Sequence, residues 1–167
     1  YKPKYCVGTT YHKLNDLPKD EQGNAWGPWD SEKYTAEDSA FGFIVMENGA
    51  TVTLEATWAL NTEDPIQEGS CRLCGSKAGV AMLNNEVVVN KGEFGRLIES
   101  KPDLSAGGVA FYDGVKETPQ ITEQRAWMDA LYNDTDPVVL PEQALVVSEI
   151  LEAIYESSKT GKPVYFK

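Results

Sequence analysis

The stretch WDSEKYTAEDSAFGFIVMENGATVTLEATWALN, residues 29–61, carries two strand patterns that meet at Asn48-Gly49. Asn tolerates positive φ and Gly adopts it freely, so the pair predicts a two-residue type I′ hairpin turn whose twist matches its flanking strands. Beyond the turn the residues sort by parity. Val52, Leu54, Ala56 and Trp58 fall on one face, and Thr51, Thr53, Glu55 and Thr57 on the other. The apolar row is expected to be core.

Outward from the hairpin, the pattern predicts a first strand over Tyr5–His12, the hairpin strands at Ala40–Met46 and Ala50–Leu60, and four shorter strands. These lie near Ser70–Gly75, Val80–Leu83, Glu86–Asn90 and Gly95–Glu99. A polar loop with Trp26 and Trp29 precedes the hairpin, and a second loop holds Asp64-Pro65. The period then changes. Ile121, Met128, Leu131 and Tyr132 share a helical face from about Thr122 to Asn133. A second helix begins at Pro141, whose missing N–H is harmless in a first turn. It carries Ala144, Val147, Leu151 and Ile154 at heptad-like spacing and stops at Gly161, suited to a left-handed C′ position. A short strand, Pro163–Phe166, closes the chain. Strands followed by helices indicate an α+β domain, a mainly antiparallel sheet with helices on one face.

The chain has 167 residues, of which 41% are hydrophobic and 10% aromatic, enough for one domain with a sizeable core. A net charge of −11 argues against nucleic acid or an anionic membrane as partner, because the field repels phosphates. No apolar run approaches the roughly 20 residues that span a bilayer. Three cysteines, Cys6, Cys71 and Cys74, make no disulfide framework and suggest a reducing, cytoplasmic setting. Cys71-Arg72-Leu73-Cys74 spells CxxC. A zinc site needs two more ligands, and strand residues three apart point to opposite faces, so no metal is assigned.

Glu37-Asp38-Ser39-Ala40, Asn48-Gly49-Ala50, Leu54-Glu55-Ala56 and Trp58-Ala59-Leu60-Asn61 together resemble the C-terminal domain of the Gfo/Idh/MocA oxidoreductases. The resemblance extends through Cys74–Gly79, Ile150–Tyr155 and Ser157–Val164, nearly the whole chain. It implies an open-faced sheet, used by relatives to form homo-oligomers, and a preceding Rossmann domain that binds NAD or NADP. On that reading residues 1–167 are a single C-terminal substrate and oligomerisation domain, and the start, Tyr1 rather than Met, marks a chain cut from a longer one.

The chemistry of such an enzyme is expected outside this chain. The 14 glycines include no GxGxxG, no Glu-Lys-Pro occurs, and His12 is the single histidine, beyond the helix that carries the family's Asp/His pair. No catalytic or cofactor-binding residue is therefore assigned. Asp30, Glu32, Glu37 and Asp38 have the residue types of a glycosidase pair, but sequence supplies no separation between them. Trp58, Asn61 and Lys77 are the substrate-binding candidates. An amide and an indole at a strand end suit a polyol, and Lys77 lies in a Gly-rich turn. The reading is the substrate side of a sugar or polyol dehydrogenase, silent alone; the alternative is a stand-alone binding or interaction domain. Titration of the isolated chain with millimolar NAD(H) or NADP(H) is expected to release no saturable heat, because the turn that cradles the pyrophosphate is missing.

Overall fold

The computed structural model describes residues 2–13, 16, 30, 33–58, 69–83, 86–102 and 118–167. They form eight strands and two helices: β1 (Pro3–Tyr11), β2 (Ser39–Met46), β3 (Thr51–Thr57), β4 (Cys71–Cys74), β5 (Ala78–Leu83), β6 (Glu86–Glu93), β7 (Arg96–Ser100), α1 (Pro119–Asn133), α2 (Pro141–Thr160) and β8 (Val164–Tyr165). The α+β class and the antiparallel pairing are as the pattern indicates. The strands divide, however, between two four-stranded sheets, β3-β2-β1-β8 and β4-β5-β6-β7. The chain separates correspondingly into two compact units, 1–61 with 130–167, and 62–129.

In the first unit α2 lies on β1 and β2. The register opposes Cys6 to Ile44 and Gly8 to Gly42, and α2 lays Ala153 and Ile154 on these four residues. Cys6, Ile44 and Ile154 are the most deeply buried side chains, and burial raises the Cys6 thiol above its ordinary pKa. Ile154 fits because the strands present glycines beneath it. A Cβ on Gly8 would meet Ile154 Cγ2 at 2.8 Å, and one on Gly42 would meet Cδ1 at 2.7 Å. Helix α2 opens with Pro141 and with Gln143 Oε1 accepting from the Leu140 N–H at 2.9 Å. It ends as expected at Gly161, which has φ 66° and donates its N–H to the Ser157 carbonyl at 2.8 Å.

Serines finish the edge of this sheet. Strand β8 pairs with β1 only at Tyr5 and Cys6, leaving the next outward N–H groups of β1 without a strand partner. The Gly8 N–H donates to Ser157 Oγ and the Thr10 N–H to Ser158 Oγ, each at 3.0 Å. The Ser157-Ser158 pair thus continues the ladder from the helix, which satisfies backbone donors that would otherwise be stranded beneath it.

Three sequence expectations are corrected. The Asn48-Gly49 turn is not type I′, since only Gly49 has positive φ, at 85°. Its N–H reaches the Met46 carbonyl at 3.0 Å and Met46 N–H bonds Ala50 at 2.8 Å, so the loop is longer and is closed by the glycine as a bulge. A two-residue loop with both φ positive joins β6 to β7 instead, at Phe94 and Gly95. Second, the row Val52, Leu54, Ala56 and Trp58 is not core: Leu54 alone is partly buried, and Trp58 is 46% exposed. A helix about 10 Å across covers roughly two strands spaced 4.8 Å apart, and β3 is the third. Third, α2 buries Ala153, Ile154 and Ser157, while Ala144, Val147 and Leu151 stay exposed. On α1 the face with Ile121, Met128, Leu131 and Tyr132 is exposed as well. Helical period reports what a face is able to bury, not whether an element of the same chain lies against it.

The second unit is a meander in which β5 and β6 are central. Cross-strand partners place Leu73, Val80 and Val89 in one row and Met82 with Val87 in the next, on the same face. Cys71 stands opposite Met82 and Cys74 opposite Gly79, on opposite faces of β4, and both thiols are free.

Gly42→Ala is expected to destabilise the fold by about 1–3 kcal/mol through overpacking against Ile154, and Ile154→Val by about 0.5–1.5 kcal/mol. The double variant should cost less than the sum, because valine lacks the Cδ1 that the new methyl would strike; denaturant midpoints of the four proteins check this.

Candidate functional site

At one end of the first sheet, where β1 stops, β2 starts and β3 stops, a single residue ties the three strands. The buried Asp38 donates its N–H to the Tyr11 carbonyl at 2.9 Å. Its carbonyl accepts from the Trp58 N–H at 3.2 Å and from Thr57 Oγ1 at 3.0 Å. Its carboxylate accepts from the Lys13 N–H and from Ser39 Oγ, the latter at 2.9 Å. A buried carboxylate needs such donors, and with them Asp38 clasps the three strand ends.

Around that clasp stand the aromatic residues. Trp58 directs its indole N–H to Tyr34 Oη at 2.7 Å, and the rings meet edge to face with centroids 5.2 Å apart and an interplanar angle of 72°. The His12 ring lies against the other partner, Tyr34, at 5.4 Å and 28°. Tyr34 in turn donates its hydroxyl to the Glu37 carbonyl at 2.8 Å. From α2, Tyr155 donates its hydroxyl to the Glu37 carboxylate. That bond holds the Glu37 carboxyl below its usual pKa and, from the other side, raises the Tyr155 phenol above its own.

Trp58 therefore belongs to a polar-aromatic rim. Asn61 lies outside the described residues, as do Trp26, Trp29 and Glu32. Lys77 is exposed in the turn joining β4 to β5, a turn closed by the Gly75 N–H on the Ala78 carbonyl at 3.0 Å. The route expected to bring Trp58 and Lys77 to one rim, as ends of neighbouring strands in a sheet, is not the pairing observed. Strand β3 belongs to one ladder and β4 with β5 to the other, because the later strands pair locally as successive hairpins. Asp30 forms an ion pair with Lys33 at 3.0 Å. Tyr34 and Tyr155 were not singled out from the sequence. Neither strand parity nor helix spacing reveals the bond between Tyr155 and Glu37, 118 positions apart.

Among the described residues no group of three His, Cys, Asp or Glu side chains is disposed to hold a metal ion. No helix there is long and apolar enough to cross a membrane. The sequence holds no GxGxxG, and each described strand from β4 to β6 runs into another strand, so no strand-to-helix phosphate turn occurs among these strands.

Residues 8–166 match the family model described as the oxidoreductase family, C-terminal alpha/beta domain. The chain belongs to the Gfo/Idh/MocA oxidoreductase family, of which it is the C-terminal domain type. It is 28% identical over 159 residues to D-glucoside 3-dehydrogenase of Escherichia coli K12, a match that covers 92% of this chain and 40% of that protein. Among solved structures it resembles levoglucosan dehydrogenase in complex with NADH and L-sorbose, with TM-score 0.70 and 18% identity over 99% of this chain and 45% of that one. An oxidoreductase from Agrobacterium radiobacter in complex with NAD+, L-tartaric acid and magnesium has TM-score 0.65 and 16% identity, over 98% of this chain and 43% of that one. The chain thus spans about two fifths of the length of these relatives.

The Glu37–Tyr155 bond sets a pH dependence. A lowered carboxyl pKa adds stability above the unfolded value, and that contribution is lost as pH falls through the folded pKa. A raised phenol pKa adds stability below the unfolded phenol value, lost as pH rises through the folded one. Tyr155→Phe is therefore expected to raise the Glu37 pKa toward the ordinary range of a glutamate carboxyl, observable by carboxyl NMR titration. Its stability deficit should narrow as acid protonates Glu37.

Proposed function

We propose that this chain is the substrate-side and assembly domain of an NAD(P)-dependent dehydrogenase that oxidises a hydroxyl of a sugar, polyol or related compound. The match to the family's C-terminal domain over residues 8–166 carries this reading, and the names of its relatives, D-glucoside 3-dehydrogenase and levoglucosan dehydrogenase, supply the substrate class. A nucleotide-binding domain in the same protein brings the cofactor and the catalytic acid/base groups, and the isolated chain is inactive. Of the residues expected to contact substrate, Trp58 offers an aromatic surface on which sugar C–H groups pack. A cytoplasmic location belongs to this reading.

Assembly uses the open face of the first sheet. Opposite α2, the register aligns Val7 with Phe43, Thr9 with Phe41 and Tyr5 with Val45, and adds Tyr165 beside Tyr5. Val7, Tyr11, Phe43 and Tyr165 are exposed there. This is a broader apolar surface than the Thr51, Thr53, Glu55, Thr57 row alone indicates, and it suits sheet-on-sheet packing with a second copy.

The full-length protein is expected to reduce NAD+ or NADP+ with an uncharged pyranoside, and Trp58→Ala to raise KM about tenfold or more while nucleotide binding is kept. Phe43→Asp is expected to shift sedimentation toward monomer. Failure to turn over any sugar or polyol, with the oligomer intact, would favour the stand-alone binding domain.

A further inference from the structure

Three faces run along α2. Ile150, Ala153, Ile154 and Ser157 turn to the strands and are buried or partly buried. Glu142, Glu149, Glu152 and Glu156 form a second row, and Lys159 is the single basic residue of the helix. Ala144, Val147, Leu151 and Tyr155 form the third. Their positions, i, i+3, i+7 and i+11, fall within about a quarter turn at 3.6 residues per turn, the spacing of a helix that packs along its length against a neighbour. Yet Val147 is 56% exposed, Leu151 44% and Tyr155 48%, and Ala144 is exposed at the head of the row.

The row also has a direction. Helix α2 runs beside β1 in the same sense: Glu149 shares a cleft with Phe166, whose N–H bonds the Lys4 carbonyl at 3.1 Å, whereas Ser157 reaches Gly8 and Ser158 reaches Thr10. The third face therefore leads to the rim, where Tyr155 donates to Glu37 beside the Asp38 clasp.

We propose that this face of α2 seats the nucleotide-binding domain of the same protein. The inference rests on the dehydrogenase reading and adds the surface by which that domain is held. Length and geometry select the occupant. The match covers 40% of D-glucoside 3-dehydrogenase, which leaves more than half of that protein outside it. Hydride transfer needs the cofactor in contact with the substrate, and the row ends at the rim to which the substrate wall is assigned. A domain seated along the row brings its cofactor to that end. A second copy is disfavoured by charge, because two α2 helices meeting along this row would approach with their acidic rows alongside, in chains of net charge −11.

The test uses the full-length protein with Val147 replaced by the photo-crosslinker p-benzoylphenylalanine, irradiated as a mixture of isotopically light and heavy subunits. Mass spectrometry is expected to find position 147 joined to a peptide that precedes Tyr1 in the same polypeptide. A link between a light and a heavy polypeptide, a link confined to residues 1–167, or no link would each overturn the proposal. Leu151→Asp is expected to lower kcat/KM for methyl β-glucoside about tenfold or more, as misplaced reacting groups do, with NAD(P)H affinity and sedimentation unchanged. Leu145→Asp is the control, exposed and apolar like Leu151 but turned toward the acidic row, and is expected to alter kcat/KM by less than about twofold. Equal losses in the two variants, or no loss in Leu151→Asp, would overturn the seating. With NAD(P)H still bound, those outcomes leave the dehydrogenase reading standing; a full-length protein that binds neither nucleotide would remove both.

Discussion

Seating Ile154 over Gly8 and Gly42 is the constraint on which the first unit depends. Two strands that carry glycine at directly opposed positions leave a hollow in the sheet surface, and a β-branched side chain on the helix fills it. Strand interiors ordinarily disfavour glycine, which loses more chain entropy than other residues and packs nothing. Here the missing side chains let the helix backbone approach closely enough for Ser157 and Ser158 to reach β1. Without that approach the Gly8 and Thr10 N–H groups would lose their acceptors. Packing and hydrogen bonding are therefore two readings of one distance, that between α2 and β1.

The same distance reaches the rim. Tyr155 lies one position after Ile154, and its hydroxyl meets Glu37 immediately before the Asp38 clasp. Because Asp38 binds the ends of β1, β2 and β3 together, the orientation of the aromatic residues follows from how α2 is docked. A core interaction and a surface aromatic cluster are joined through a few side chains.

Much of this fold was legible in the sequence because its signals are local. Pro141 and Gly161 bracket α2 within a residue, since a missing N–H and a left-handed φ are properties of single positions. Strand existence followed from alternation for the same reason. What was not legible depends on partners distant in the chain. The inward row of β3 was apolar enough to be core, yet α2 covers only its neighbours. The grouping of strands into two ladders is invisible to any window of ten residues. At the rim, Trp58 was recognisable as an aromatic residue at a strand end, whereas Tyr34 and Tyr155 acquire their meaning only from Glu37. The Asn48-Gly49 pair marked a hairpin correctly and its geometry wrongly, because a glycine serves a bulge as readily as a two-residue turn.

The two serines at the end of α2 have a consequence for the width of the sheet. An unpaired strand edge is a template on which another chain is able to crystallise into register. Beyond the short reach of β8, the outward N–H groups of β1 are already occupied by hydroxyls that belong to a helix, and a helix cannot be extended by a further strand. The sheet is thus terminated chemically on this side, and β3 is the margin of it that a further strand is able to extend.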